Sequence, residues 1–121
     1  MDMNKKSTIV VKNRVKGLHL YDGAPEGVEF LKHEHRHLFY VETEIEVFHD
    51  DRELEFFLVQ DAIDDQLAHL DLMNPETTMS CEMIADHIAC WARYYYGSHR
   101  EVTCTVYEDN ENGGRVQYKR G

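Results

Sequence analysis

The sequence predicts an α+β domain in which two strands, two helices and two further strands follow one another along the chain. Apolar and polar residues alternate near both ends of the sequence, as they do in half-buried antiparallel strands. Between these segments, the apolar residues recur with the period of an α-helix. With 121 residues and neither repeats nor linkers, we expect one domain over 1–121, with 1–6 as a flexible N-terminal segment. The expected architecture is a four-stranded antiparallel sheet with two helices on one face.

The first two strands are predicted over 7–16 and 39–47. The first segment alternates around Ile9, Val11 and Val15, and the second alternates from Phe39 to Val47. Gly23, Pro25 and Gly27 lie between them and indicate a loop.

Two helices are predicted from the middle of the chain. The first begins at Phe56, and its apolar stripe consists of Phe56, Val59, Ile63, Leu67 and Leu70, with Asp61, Asp64 and Asp65 turned outward. Ser80 is a typical N-cap for the second helix, which ends at Gly97. Its apolar stripe consists of Ile84, Ile88, Trp91 and Tyr95. The remaining residues predict a hairpin of strands 101–107 and 115–119 around a turn at 110–114.

Composition excludes several classes of function. The net charge is −10, from 23 acidic and 13 basic residues, and the only basic runs are Lys5-Lys6 and Lys119-Arg120, so we expect no nucleic-acid groove. No stretch approaches the roughly 18 apolar residues of a membrane-spanning helix. The three cysteines lie far apart without a CxxC pair, so we expect neither a disulfide framework nor a thiolate zinc site, and a reducing cytoplasmic location.

A cluster of histidines precedes the second strand. Because side chains alternate across a strand, His33, His35 and His37 are predicted to project from one face of it. Neutral imidazole is the commonest metal-binding side chain, and three imidazoles leave one position of a tetrahedral zinc site open. A tetrahedral metal site built on this strand needs only one further ligand, from a residue elsewhere in the sequence. The alternative interpretation is a polar, solvated strand face.

Several motifs occur in an order that resembles one family. His19 precedes 35–41 (HRHLFYV), which follows the pattern HGH-x-aromatic-x-Val, and 55–59 (EFFLV) resembles the opening Asp-Phe-x-x-Leu of a first helix. His69 lies three positions before Leu72, and 80–85 (SCEMIA) resembles the helix start Pro-Thr-x-Glu-x-x-Ala. A hairpin follows with Glu108 and Tyr118. Together these motifs resemble the tunnelling fold (T-fold) of the 6-pyruvoyltetrahydropterin and 6-carboxytetrahydropterin synthases over nearly the whole chain.

This resemblance implies a zinc enzyme of the carbon–oxygen lyase type. His19, His35 and His37 would hold zinc, Glu108 would bind the N–H edge of a pterin or guanine-like ring, and His69 would relay protons. The implied substrate is a dihydropterin such as dihydroneopterin triphosphate. The implied assembly is a homo-oligomeric ring, a trimer, tetramer or hexamer, with sites between subunits.

The sequence departs from the family at two catalytic positions. Leu31 stands where the family has the cysteine that acts as its catalytic base. Ala68 stands where the family has an acidic residue before the relay histidine, here His69. Cys81 and Cys104 do not match the cysteine position, and we expect both to be core thiols. The candidates for a replacement base are Glu29, Glu34 and His33.

The sequence leaves open which two histidines match the family's HxH motif, His35 and His37 or His33 and His35. A slide by two residues, which pairs His33 with His35 and puts Glu29 at the base position, preserves strand alternation. Phe39, two residues after His37, favours the pair His35 and His37.

Three functions remain: a divergent zinc lyase, a zinc-containing pterin- or purine-binding protein without turnover, and a metal-buffering or structural protein in which Glu108 has no role.

Overall fold

A computed structural model describes residues 4–33 and 35–121. Strands and helices follow in the predicted order ββααββ: β1 Ser7–His19, β2 His35–Val47, α1 Phe56–His69, α2 Cys81–Tyr96, β3 Val102–Glu108 and β4 Gly113–Tyr118. A short 3-10 helix, Glu29–Lys32, lies in the connection between β1 and β2. The predicted α+β class is confirmed.

The four strands form one antiparallel sheet in the order β1-β2-β3-β4. Strand β1 pairs with β2 along its whole length, from Ser7 opposite Val47 to His19 opposite His35. Strand β3 pairs with β2 on its other side, and the last pair brings Phe39 opposite Glu108. Because sequence neighbours pair throughout, the ends of β1 and β3 and the beginning of β2 meet at one end of the sheet.

One face of the sheet carries the core. Successive odd-numbered residues of β2, from Phe39 to Ile45, point towards this face and are fully buried. They form one cluster with apolar residues from both helices: Val59, Ile63, Leu67, Ile84, Ala85, Ile88, Ala89 and Ala92. Both helices therefore pack on the same face, as expected.

Side-chain caps define where the helices begin. Ser80 accepts a hydrogen bond from the backbone N–H of Met83 (3.1 Å), which confirms the predicted N-cap, and Glu55 caps α1 through the N–H of Phe57 (2.9 Å). Gly97 ends α2 at a φ of 115°, a conformation that favours glycine.

No helix in the described part of the chain is long and apolar enough to span a membrane.

The apolar stripes of the helices are narrower than predicted. Phe56 is 50% exposed and Tyr95 is 68% exposed, so neither belongs to the core. Both residues lie in an end turn of their helices, beyond the central turns that the sheet covers. The core stripe of α2 instead uses the small residues Ala85, Ala89 and Ala92, which allow the helix to approach the sheet.

The strand boundaries differ from the prediction at several positions. Strand β1 continues beyond residue 16 to His19, because it finds pairing partners on β2 as far as His35. Strand β2 begins at His35, so the prediction that His33 projects from the same strand face is wrong: His33 follows the 3-10 helix in a turn. The final hairpin turns at 109–112, and both Gly113 and Gly114 belong to β4.

Candidate metal centre

Three histidines meet at the end of the sheet where β1 finishes and β2 begins. His19 and His35 are direct cross-strand partners, and His37 lies two residues further along β2 on the same face. This face is the one that carries the core, so the three imidazoles continue the row of Phe39, Val41 and the other buried residues of β2. The histidines therefore occupy the open end of the core, where the helices leave the sheet uncovered.

The imidazoles are close enough to share one ion. One nitrogen from each of His19, His35 and His37 lies within 4.8 Å of the other two. The ring centroids of His35 and His37 are 4.4 Å apart, and each lies 6.0 Å from that of His19. The buried ring of Phe39 packs edge-on against His19 and at a tilt against His37, and forms an apolar base for the group. All three histidines are partly buried.

Hydrogen bonds on the far side of two rings set their orientation. The Nδ1 of His37 lies 2.6 Å from the Oδ2 of Asp109, and the Nδ1 of His35 lies 2.6 Å from the backbone carbonyl of His33. An Nδ1–H that donates to a carboxylate or carbonyl leaves the lone pair of Nε2 free for a metal. Asp109 also accepts a hydrogen bond from the N–H of Leu38; this bond and the one from His37 lower the pKa of its carboxyl.

Two nitrogens of the group are buried without a hydrogen-bond partner in the described part of the chain. They are Nδ1 of His19 and Nε2 of His37. Leaving a buried polar atom unpaired costs about 1–3 kcal/mol, so such atoms usually have a partner. Two buried imidazole nitrogens without a hydrogen bond, in a group of three neighbouring histidines, fit a divalent metal ion. Three neutral imidazoles are a ligand set typical of zinc with an open coordination position.

Glu108 lies at the end of β3, beside the histidines. Its Oε1 is 2.5 Å from Nδ1 of His19, and its Oε2 is 3.8 Å from Nε2 of His37. Its charge also reaches the N-terminus of α2, where it adds to the effect of burial in raising the pKa of the Cys81 thiol to about 11. Sequence reasoning predicted Glu108 as a ligand for a pterin ring and gave no reason to expect its contact with His19.

The candidate replacement bases lie in or next to the 3-10 helix. Glu29 is exposed, and its carboxylate accepts a hydrogen bond from the N–H of Gly27 (3.0 Å), which lowers its pKa. His33 is exposed and contributes its backbone carbonyl to His35, and its side chain is outside the three-histidine group. Glu34 lies outside the described residues. Leu31 is half-buried at the position where the family has cysteine.

His69 and the cysteines are not part of the group. His69 is the last residue of α1, is exposed, and bonds through Nδ1 to the carbonyl of Asp65 in its own helix (2.7 Å). Cys81 and Cys104 are buried, as predicted for core thiols, and burial raises the pKa of Cys104 to about 12. Neither thiol is a ready thiolate at neutral pH.

Three features of the site escaped the sequence analysis. Asp109 is one of 23 acidic residues, and nothing in its spacing marks it as the partner of His37. The carbonyl of His33 is a backbone group, so the sequence carries no signal for it. Gly17 lies opposite His37, where a Cβ atom would come within 2.5 Å of the Phe39 ring. A glycine next to a histidine-bearing strand end is a weak signal that could have suggested this close contact.

Comparisons with known proteins assign no family to this chain. No protein-family model matches the sequence, and no curated protein matches it closely enough to count as a relative. The function must therefore be inferred from the site itself and from the motifs described above.

Proposed function

We propose that the three-histidine centre binds zinc and that the protein acts on a dihydropterin, in the manner of the 6-pyruvoyltetrahydropterin and 6-carboxytetrahydropterin synthases. The observation that carries this proposal is the convergence of His19, His35 and His37, with one nitrogen from each within 4.8 Å of the other two. These are the three positions that the family pattern selects. The slid register is disfavoured, because His33 is outside the group.

Each residue of the centre has a part in this function. His19, His35 and His37 would hold the metal; Asp109 and the carbonyl of His33 hold two of the rings in the required orientation. The buried ring of Phe39 forms the apolar base of the site. Bound zinc would polarise the side-chain oxygens of the pterin and acidify its neighbouring C–H bonds.

A second candidate function is zinc-dependent binding of a pterin or purine without turnover. The surroundings of the predicted bases favour it. Glu29 is exposed with a lowered pKa, which weakens it as a proton acceptor, and Leu31 cannot accept a proton. His69 bonds to its own helix, and the structure gives it no orienting carboxylate among the described residues.

The experiment that tests both candidates uses zinc-loaded protein and the metal-free protein as its control. Calorimetry with a non-reactive pterin measures binding, and chromatography of dihydroneopterin triphosphate after incubation measures conversion. Conversion that requires zinc supports the lyase, and binding that requires zinc without conversion supports the binding protein. If the pterin binds equally well with and without zinc, or not at all, both candidates are wrong.

Variants then locate the base. If conversion is found, we expect its rate to fall by about 10²–10⁴-fold in one of Glu29→Gln, His33→Ala or His69→Ala, the range typical of a general base. The Cys81→Ala variant should retain conversion, because its thiol is buried with a raised pKa. Loss of conversion in Cys81→Ala alone, in folded protein, would show that the base position has been misassigned.

A further inference from the structure

The carboxylate of Glu108 faces the same space as the two unpaired imidazole nitrogens. Its two oxygens divide between them, with Oε1 next to Nδ1 of His19 and Oε2 towards Nε2 of His37. The carboxylate is partly exposed, with 28% of the side chain accessible, and both histidine side chains are less accessible, at 18% and 16%. Glu108 therefore lies directly beside two of the three imidazoles at the end of the sheet.

Hydrogen bonding does not account for this arrangement. His37 directs its Nδ1 at Asp109, so in its neutral form Nε2 carries a lone pair that faces an oxygen of Glu108. Two lone pairs that face each other repel. At 3.8 Å, the distance is also too long for a hydrogen bond from a protonated ring. The contact of Glu108 with Nδ1 of His19, although only 2.5 Å long, leaves that nitrogen without a properly directed hydrogen bond. A cation bound by the carboxylate and the two rings would remove this repulsion and give both nitrogens a partner.

The spacing is close to that of a metal shell. Zinc binds nitrogen at about 2.0–2.1 Å and carboxylate oxygen at about 2.0–2.2 Å, so neighbouring donors in a tetrahedral shell lie about 3.3–3.5 Å apart. The oxygen near His37 must move inward by a few tenths of an ångström, and the oxygen near His19 must move outward by somewhat less than 1 Å. Both changes require the Glu108 side chain to rotate; it lies at a strand end and is partly exposed.

We propose that Glu108 is the fourth ligand of the metal, and that it closes the shell when no substrate is bound. This inference rests on the metal site of the proposed function and not on the identity of the substrate. The family resemblance implies that Glu108 accepts hydrogen bonds from the N–H edge of the pterin ring. A carboxylate that binds the metal cannot at the same time accept these hydrogen bonds with both oxygens, so the role proposed here is a different one. A substrate oxygen would then reach the metal by displacing Glu108.

Metal affinity in Glu108→Gln tests this role. Zinc affinity is measured by competition with a chromophoric chelator in wild type, Glu108→Gln and Glu111→Gln, where Glu111 is an exposed carboxylate in the adjacent turn. Loss of an outer partner of a metal ligand costs about 10–100-fold in affinity, so we expect loss of a direct ligand to weaken zinc binding at least tenfold. Glu111→Gln should bind zinc as the wild type does.

Cobalt substitution provides a second readout that does not depend on affinity. The visible absorption of Co²⁺ reports the number and type of its ligands. We expect the spectrum of wild type to change in Glu108→Ala at saturating cobalt, and added acetate to restore it in part. Thermal unfolding of the metal-free proteins checks that the variants are folded.

The outcomes separate this inference from the proposed function. If the cobalt spectrum of Glu108→Ala is unchanged, Glu108 is not a ligand, whether or not the zinc affinity of Glu108→Gln falls, while the three-histidine site remains. If the wild type binds neither zinc nor cobalt, the proposed function and this inference are both wrong.

Discussion

The orientation of single imidazole rings decides whether this site can bind a metal. The strand alternation of His35 and His37 and the position of His19 were sufficient to predict the group from the sequence, with the family resemblance as a guide. The partners that aim the rings were not predictable. Asp109 comes into contact with His37 only because the β3–β4 turn folds back over the beginning of β2, where the backbone of Asp109 also donates to Leu38 (2.7 Å).

Asp109→Asn tests the orienting role of this carboxylate. Asparagine keeps the size of the side chain and tolerates the positive φ of 50° at this position, so the turn should be preserved. It weakens the acceptor for the Nδ1–H of His37, and we expect zinc affinity to fall by about 10–100-fold. The cobalt spectrum should keep the form of the wild type, because the ligands are unchanged. Zinc affinity equal to that of wild type in chelator competition would show that Asp109 does not orient His37.

At the level of the elements, the site depends on close packing between β1 and β2. Gly17 lies opposite His37, and a Cβ atom there would come within 2.5 Å of the Phe39 ring and 3.1 Å of the Cβ of Leu72. Phe39 in turn packs against the rings of His19 and His37. The position of the metal ligands is therefore coupled to the core through one aromatic ring.

Gly17→Ala should disturb both the core and the metal site. We expect the free energy of unfolding to fall by about 1–3 kcal/mol, which is typical of overpacking, and zinc affinity to fall with it as Phe39 shifts. Urea unfolding and chelator competition measure the two effects. Gly23→Ala is the control, since its added methyl would meet only the exposed ring of Tyr21. A Gly17→Ala protein with the stability and zinc affinity of wild type would show that this contact relaxes without cost.

An ion pair between the buried Glu46 and the exposed Arg120 joins the C-terminal segment to the opposite face of the sheet. Glu46 is 1% exposed; it pairs with Arg120 and accepts a hydrogen bond from the N–H of Glu101 (3.0 Å). The bond from Arg120, opposed in part by burial, lowers the pKa of Glu46 to about 2 from its ordinary value of 4.5. A carboxyl with a lowered pKa in the folded state stabilises the fold above its unfolded pKa and loses this effect as the pH falls towards the folded value.

The stability of Glu46→Gln should therefore approach that of wild type in acid. We expect the wild type to be more stable than Glu46→Gln above pH 4.5, and the difference to shrink progressively as the pH falls towards 2. Urea unfolding of metal-free protein across this range measures the difference. Glu44→Gln, on the same face of β2 and half-buried, serves as the control and should show a smaller change. A difference that does not vary with pH would contradict the role of the ionised carboxylate.

The elements were more predictable than their ends. Alternation in β1 and β2, the caps at Ser80 and Gly97, and the helical period of α1 and α2 are local signals, and the structure has the corresponding elements. The strand ends depend on pairing with distant residues, which is why β1 continues to His19 and why His33 falls outside β2. The exposed positions of Phe56 and Tyr95 could not be predicted from period alone, since period does not report how far a helix is covered.

For the whole molecule, the sheet is open and has one edge strand on each side. Strand β1, 13 residues long, is one edge, and it is the longer one because β4 has 6 residues. Apolar residues flank β1: Val10, Phe56 and Phe57 line one shallow groove, and each is at least 43% exposed. A long edge strand beside an exposed apolar patch is typical of an interface, and the family resemblance implies a ring of subunits.

We predict that the protein forms a symmetric oligomer through the β1 edge. Light scattering should give a mass that is a multiple of 14.3 kDa in wild type, and Phe57→Glu should shift the population towards the monomer. Tyr94→Glu is the matched control, because Tyr94 is 92% exposed on α2 and lies away from this edge. A wild-type protein that stays monomeric over the accessible concentration range would contradict the prediction.

The central claim is that His19, His35 and His37 bind one metal ion, and the zinc content of untagged protein tests it most directly. Elemental analysis after dialysis should give one zinc per chain in wild type and almost none in the double variant His35→Ala, His37→Ala. His33→Ala should keep its zinc, because this residue contributes a backbone carbonyl that alanine also has. Full zinc occupancy in the double variant, or no zinc in wild type after reconstitution, would contradict the account.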